Sequence, residues 1–412
     1  MNERARGAFL GLAVGDCLGA PVEGMPAWEI KKRFGRVTDL LDPFEVWVRR
    51  PERGRLRGLH TDDTQQAWIL ADVLLKRKEI VADEVAASLV SFARARPDLP
   101  RGVHRGTGRF FRAAVDRLVA GTPVLEAGEI SAGNGAAMRV APVGLVLSGD
   151  ATALVRHAVL ASAITHRDAR AVESAAGLAA LIGALVGERP PAGLRGYLEA
   201  ALEGARQAEA LIAAGDPVAL PAAGREHTGA FREVLAQLMV RVDHDDELLM
   251  REIADLAGAH SPGRRIKRAT DGFALASVTA SIAFAARAAT FREAVENAVN
   301  AGEDADSVGA MTGALAGARF GAGAIPAEWL SGLVGAEALS QVADALGGGK
   351  TQPPDQEALE ETWTRLEHAE GARRAQQADE EELDAGELDE HDPDDDEVMD
   401  GDDENGDEDA GE

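Results

Sequence analysis

Three glycines at four-residue intervals, Gly309, Gly313 and Gly317, sit inside a run that otherwise reads as helix, Val308 to Ala318. Glycine in a helix costs about 1 kcal/mol relative to alanine, so three on one stripe require a packing reason. Such a stripe is nearly smooth and lets another backbone come very close, which puts this helix in the middle of the protein. Directly before it stands Ala301-Gly302-Glu303-Asp304-Ala305-Asp306-Ser307. Two carboxylates and a hydroxyl, Asp304, Asp306 and Ser307, are thereby set where a loop enters the helix. A second acidic cluster, Thr61-Asp62-Asp63-Thr64, opens another helical pattern with apolar residues at 67, 70, 71, 74 and 75. An N-cap with an acid in the first turn accounts for one carboxylate there. It does not account for two adjacent acids flanked by threonines.

Alanine, leucine and glycine dominate and there is one tyrosine, so strand-favouring side chains are scarce and the body is expected to be all-α. The net charge of −27 is uneven, because 379–412 holds 21 acids and no Lys or Arg, leaving −6 on 1–378. Three parts are expected: a catalytic body over 1–350, a polar helix within 351–378, and a disordered acidic tail over 379–412 that cannot bury enough apolar surface to order itself. One cysteine, Cys17, excludes a disulfide framework and suits a reducing compartment. The N-terminal apolar run is too short for a signal peptide and no run reaches the roughly 18 residues of a membrane span. The chain therefore reads as cytoplasmic.

Residues 5–14 read as a short helix, followed by a turn-rich stretch from Gly15 to Gly24 that holds two acids among small residues. Asp16 there fits a helix cap; Glu23 is either solvated in its loop or drawn into a site, because burial of an unpaired acid is costly. Residues 24–58 look irregular, and 82–120 look like two helices broken around 96–102. The basic segment 101–112 reads as a solvated loop, with no continuing stripe of bases for nucleic acid. Ser131-Ala132-Gly133-Asn134-Gly135 has the positive-φ and close-approach potential of an anion-binding loop, with a helix opening near Ala136. His166 follows at a helix junction, either as a satisfied structural residue or as a ligand contact. A surface insertion that mixes Pro, Gly and a helical segment is expected at 188–226, helices at about 229–258, 269–289 and 292–301, and a polar one at 356–377.

Oxygen-only ligands without His or Cys at metal spacing suit Mg²⁺ or Mn²⁺ and disfavour zinc. Four carboxylates share a pocket only if cations neutralise them. Two divalent ions are the economical solution, and they point to metal-assisted hydrolysis.

Taken in order, Gly15-Asp16-x-x-Gly19-Ala20-Pro21-x-Glu23, Thr61-Asp62-Asp63-Thr64, Ser131-x-Gly133-Asn134-Gly135-x-x-Met138-Arg139 and Asp304-x-Asp306-Ser307 resemble the marks of the ADP-ribosylglycohydrolase family. The resemblance spans about 15–330. It implies an orthogonal multi-helix bundle with a binuclear Mg²⁺ or Mn²⁺ centre and cleavage at the anomeric carbon of ADP-ribose. It further implies Thr61, Asp62, Asp63, Asp304, Asp306 and Ser307 as metal ligands, with Glu23, Asp62 and Asp304 in catalysis. Ser131, Gly133, Asn134, Gly135, Met138 and His166 would hold the substrate. Two departures stand out. Glu303 occupies a position where the family usually has glycine, and Ser307 one where it often has threonine. The family's Asp-Ile-Gly-like motif has only Asp98-Leu99-Pro100 as a loose stand-in.

The expected activity is hydrolysis of the N- or O-glycosidic bond between ADP-ribose and an acceptor, whether protein, nucleic acid or small metabolite. A non-catalytic ADP-ribose binder or structural family member is the first alternative; a metal-dependent nucleotide diphosphate hydrolase is the second. The acceptor, the preferred ion and the oligomeric state are not legible in the residues.

Overall fold

The glycine stripe has a partner. In the computed structural model, which describes residues 2–50 and 53–389, the first helix, α1 (Glu3–Gly19), carries glycines at 7, 11, 15 and 19. It lies antiparallel against α16 (Ala305–Phe320) with the two backbones in contact. A Cβ placed on Gly313 would lie 1.9 Å from the Gly11 carbonyl oxygen, and one on Gly15 would lie 2.0 Å from that of Gly309. Gly7 faces Gly317 and Gly19 faces Ala305 in the same register. The chain was expected to turn at Gly15; instead α1 runs on to Gly19, because its last two glycines are packing surface rather than turn residues.

Between these two helices in sequence come α2 (Ala27–Phe34), α3 (Pro43–Val46), α4 (Asp62–Arg77), α5 (Ala82–Arg94), α6 (Arg109–Val119) and α7 (Val124–Ala127). They are followed by α8 (Ala141–Val146), α9 (Ala151–Ala163), α10 (Ala169–Val186), α11 (Gly193–Ala214), α12 (Ala230–Leu238), α13 (Asp246–Gly258), α14 (Ala274–Arg287) and α15 (Phe291–Asn300). After α16 come α17 (Ala327–Ser331), α18 (Ala336–Leu346) and α19 (Gln356–Asp389). Among the described residues the chain forms helices and three isolated bridges, so the body is all-α as expected.

The bundle is layered on the central pair: α15 and α14 pack on α16, α10 on α14, and α11 on α10. Helix α11 lies where a surface insertion was expected. It belongs to the core instead, since Leu194, Tyr197, Leu198, Ala201, Ala205 and Ala208 recur at helical spacing and are buried. Helix α10 is long and apolar enough to cross a membrane by composition alone, contrary to the expectation that no run reaches that length. Most of it is buried inside the bundle, which accounts for its apolarity. Residues 24–58 contain the short helices α2 and α3 rather than only loop.

The first compact unit runs to Glu367. Gln356, Glu360, Trp363 and Thr364 on the first turns of α19 are buried in it, which composition alone conceals. Within His368–Glu412, Arg373 and Arg374 both pair with Glu370 along the helix. The helix continues to Asp389, into the stretch expected to be disordered; 390–412 lie outside the described residues.

Candidate functional site

The antiparallel register of α1 and α16 decides what meets at one end. The C-terminal end of α1, with Asp16 and then Glu23, comes beside the N-terminus of α16, with Asp304, Asp306 and Ser307. Backbone bonds seal this meeting: Glu303 N donates to Met25 O at 2.8 Å and Gly24 N donates to Glu303 O at 2.7 Å. Carboxylate oxygens of Glu23, Asp304 and Asp306 thereby lie within 4.8 Å of one another. Glu23 is thus not free in solvent. Glu303 adopts φ 61°, in the left-handed region where glycine is at ease, and its side chain faces Arg268 at 3.7 Å. The departure at this position is therefore a backbone matter, with the added charge turned to a cation.

The other acids arrive on α4. Thr61 is its N-cap, accepting from Asp63 N at 3.4 Å, and its hydroxyl also donates to Asp63 Oδ2 at 3.2 Å. Asp16, wholly buried, holds this end in place: Thr61 N, Thr64 N and the Thr64 hydroxyl all donate to its carboxylate, the last at 2.6 Å. Asp16 does cap a helix, but α4 rather than its own. The Ser307 hydroxyl donates to Asp63 Oδ2 at 3.4 Å, so the two distant acidic runs touch. Asp62, Asp63, Asp304, Asp306 and Ser307 line one cleft of about 620 Å³. A larger groove of about 1050 Å³, beside Lys76, Lys78, Ser91 and Lys350, is not reached by these acids; size alone does not locate the chemistry.

The donor set fits a hard cation. Every ligand atom in the cluster is oxygen, and Asp63 Oδ1 is buried with no hydrogen-bond partner. Burial first, and then neighbouring acids, push Asp62, Asp63 and Asp306 well above the usual carboxylate range. Asp304 rises to about 6, from burial and then Glu23. Glu23 is also raised by burial, against the opposing pull of Arg53 and Arg55.

These directions make a prediction about stability. Each acid holds its proton more tightly folded than unfolded, where about 4 is ordinary. The stability contributed by the protonated forms is fully present below pH about 4 and is lost as pH rises through the raised values. Cation-free protein is expected to melt highest near pH 5 and progressively lower toward pH 8. A divalent cation at 100 times its Kd would restore about 2.7 kcal/mol, with the larger gain at pH 8. Thermal melts in chelator and in Mn²⁺ at both pH values check this, and a flat pH profile with no cation effect would contradict it.

The opposite wall is the 131–139 segment. The Gly133 N–H donates to Ser131 Oγ at 3.2 Å and Asn134 N donates to Gly272 O at 3.3 Å. Asn134 Nδ2 donates to Asp304 Oδ2 at 2.6 Å, tying this loop to the acids. The helix expected near Ala136 is a single 3₁₀ turn, Asn134–Ala136, and α8 begins only at Ala141. His166 lies against Gly135, where an added Cβ would come within 2.8 Å of its ring. Burial and then Arg139 lower His166 to about 3, so the ring is neutral. Met138 and His166 both line the cleft.

A buried chain of hydrogen bonds joins the two walls. Gln66 Nε2 donates to Asp62 Oδ2 at 2.8 Å, and Arg139 donates to Gln66 Oε1 at 2.5 Å and to Thr165 Oγ1 at 2.6 Å. Thr165 Oγ1 in turn bonds His166 Nδ1 at 2.8 Å. Sequence reasoning missed Gln66 and Arg139 as site residues; the one signal for Gln66 was its position four after Asp62, and Arg139 closed the 131–139 motif without being given a role. Asp98 does not reach the cleft, being exposed and paired with Arg96. Gly106 stands there instead, with its Cα so near that an added Cβ would be 3.1 Å from Asp62 Oδ1.

The ADP-ribosylglycohydrolase family profile matches residues 1–356 of this chain. The chain belongs to the ADP-ribosylglycohydrolase family. An uncharacterized protein of Archaeoglobus fulgidus is 30% identical over 84% of this chain and 96% of its own. The ADP-ribosyl-[dinitrogen reductase] glycohydrolase of Rhodospirillum rubrum is 27% identical over 81% and 91%. A solved structure titled an ADP-ribosylglycohydrolase-related protein complex superposes with a TM-score of 0.59 at 31% identity, covering 84% of this chain and 98% of the other. The fold is thus the helical bundle of this ADP-ribosylglycohydrolase family, whose members are ADP-ribosyl hydrolases.

Proposed function

We propose that this protein is a cytoplasmic hydrolase that cleaves the N- or O-glycosidic bond between ADP-ribose and an acceptor, using two Mg²⁺ or Mn²⁺ ions. The observation that carries it is the meeting of Asp62 and Asp63 with Asp304 and Asp306 in one cleft with the 131–135 loop. Asp62, Asp63, Asp304 and Asp306, with Ser307 and Thr61, would hold the cations. Bound there, divalent cations supply charge neutralisation, orientation of the ribose hydroxyls and a lowered pKa for water.

The chain's own groups do the rest. Glu23, one of the acid trio and with a raised proton affinity, would take a proton from water or return one to the leaving group. Ser131, Gly133, Asn134 and Gly135 form a loop that a diphosphate can approach closely, with Met138 and His166 beside it. Arg109, Arg170 and Arg264 line the same cleft and suit an anionic substrate. Asp168 accepts from Arg170 Nε at 2.9 Å and from its terminal nitrogen at 2.6 Å, which fixes that guanidinium.

A panel of ADP-ribosylated arginine, serine and small-molecule substrates, assayed with Mg²⁺ and with Mn²⁺, tests the reading. Cation-dependent release of free ADP-ribose from at least one is expected. Release of AMP would replace it with nucleotide diphosphate hydrolysis, and binding without release would replace it with a non-catalytic binder.

A further inference from the structure

We propose that Glu360, on the first turns of α19, is a positioning residue that holds the two segments forming the floor of the acid cluster. Its carboxylate is wholly buried and accepts three bonds. His60 Nε2 donates to one oxygen at 2.8 Å; Gln65 Nε2 at 2.8 Å and an Arg105 terminal nitrogen at 2.6 Å donate to the other. Burial pushes this acid up, but Arg105 and His60 outweigh it and hold Glu360 at about 2.

What these donors carry gives the contact its meaning. His60 directly precedes Thr61-Asp62-Asp63, and Gln65 lies one turn into the same helix. Arg105 directly precedes Gly106, where an added Cβ would come within 3.1 Å of the side chains of both Asp62 and Thr61. One carboxylate therefore fixes both the acid-bearing end of α4 and the segment pressed against it. The anchoring is doubled by Gln356 Nε2, which donates to Gln65 O at 2.9 Å, and by Arg105 donating to Thr364 Oγ1 at 3.2 Å. Buried ion pairs can often be replaced by apolar side chains without loss of stability, so a bundle has no need of this one for cohesion. What apolar packing cannot supply is a directional hold on two loops at once. The family profile ends at residue 356, so Glu360 lies beyond the part of the chain that it matches.

This rests on reading the acids as a cation site, and the test separates the two. Glu360→Ala and Glu360→Gln are made in the full chain. Loss of a group that orients ligands typically weakens metal binding about 10- to 100-fold, which is the expectation for Mn²⁺ titrated into Glu360→Ala. Glu360→Gln removes chiefly the His60 bond, since His60 Nδ1 has no partner to receive the proton in the other tautomer; a smaller weakening is expected. Hydrogen exchange of the 61–66 amides should quicken in both variants while α10 keeps its protection. If Glu360→Ala does not fold, Glu360→Gln decides alone. Parental Mn²⁺ affinity and parental protection at 61–66, with only a lower melting temperature, would overturn the proposal and leave Glu360 a structural peg. Should the parent bind no Mn²⁺, the cation reading falls, and the exchange arm still decides whether Glu360 positions this end of α4.

Discussion

Exchanging Asp304 for asparagine is expected to abolish most ADP-ribose release, by at least about 100-fold. The estimate is a floor: disturbing only the groups that orient a metal ligand already costs 10- to 100-fold in many sites, and this exchange removes a ligand charge itself. The shape of the cleft should survive. Asn134 Nδ2 donates to Asp304 Oδ2 at 2.6 Å, and the amide oxygen of the variant can accept the same bond. Asp62→Asn should behave alike, since Gln66 Nε2 needs only an acceptor there. A second, opposite effect distinguishes a cation site from an ordinary structural cluster. Burial and neighbouring acids raise both carboxyls, so in the absence of cation at pH 8 each replacement relieves repulsion and should raise the melting temperature. Residues held at a cost to stability are those that function retains. Full turnover in either variant, measured as ADP-ribose released with saturating Mn²⁺, would refute the assignment.

The acids and their meeting were legible because chemistry leaves few other uses for them. Adjacent acids at Asp62 and Asp63 exceed what a helix N-terminus needs, and Asp304 and Asp306 precede a helix that cannot tolerate side chains on one stripe. The partner of that stripe, Gly7, Gly11, Gly15 and Gly19, went unread, because Gly15 and Gly19 look like turn residues when taken without the facing helix. Long-range polar contacts leave no such trace. Nothing local in Arg105, Gln66, Arg139 or Glu360 tells a buried hydrogen-bonding group from a solvated one, because spacing reports which face a residue shares and not what lies opposite. Glu360 was hidden further by its surroundings, a strongly charged helix whose polar residues outnumber Trp363 and the few others that pack inward. Helix α11 was set on the surface for the converse reason, since flanking Pro and Gly suggested an insertion around a helical segment while its apolar spacing described a core face.

Gly313→Ala should be among the most destabilising single-methyl additions in this chain, at about 3 kcal/mol or more. Two effects oppose each other. Alanine gains about 1 kcal/mol in helix propensity, whereas overpacking a close contact costs typically 1–3 kcal/mol and occasionally more. Here the added Cβ would meet Gly11 O at 1.9 Å and Gly11 C at 2.6 Å. Both are backbone atoms of a helix buried along its length, so no side-chain rotation relieves the clash and the helices must part. The propensity gain is therefore outweighed. Gly323→Ala is the control, because nothing lies within 4 Å of its added Cβ, and it should stay within about 0.5 kcal/mol of the parent. Function should fall with stability in Gly313→Ala even at low temperature. Parting α1 from α16 moves Asp304 and Asp306 away from Asp16 and Glu23, and a shift of about 1 Å at a reacting centre can cost about 100-fold in rate. Thermal melts and cation-dependent turnover measured on the same samples read both consequences. A variant with the parent's melting temperature would mean that the two backbones can yield, and the seam would then not be what sets the distance between the two halves of the site.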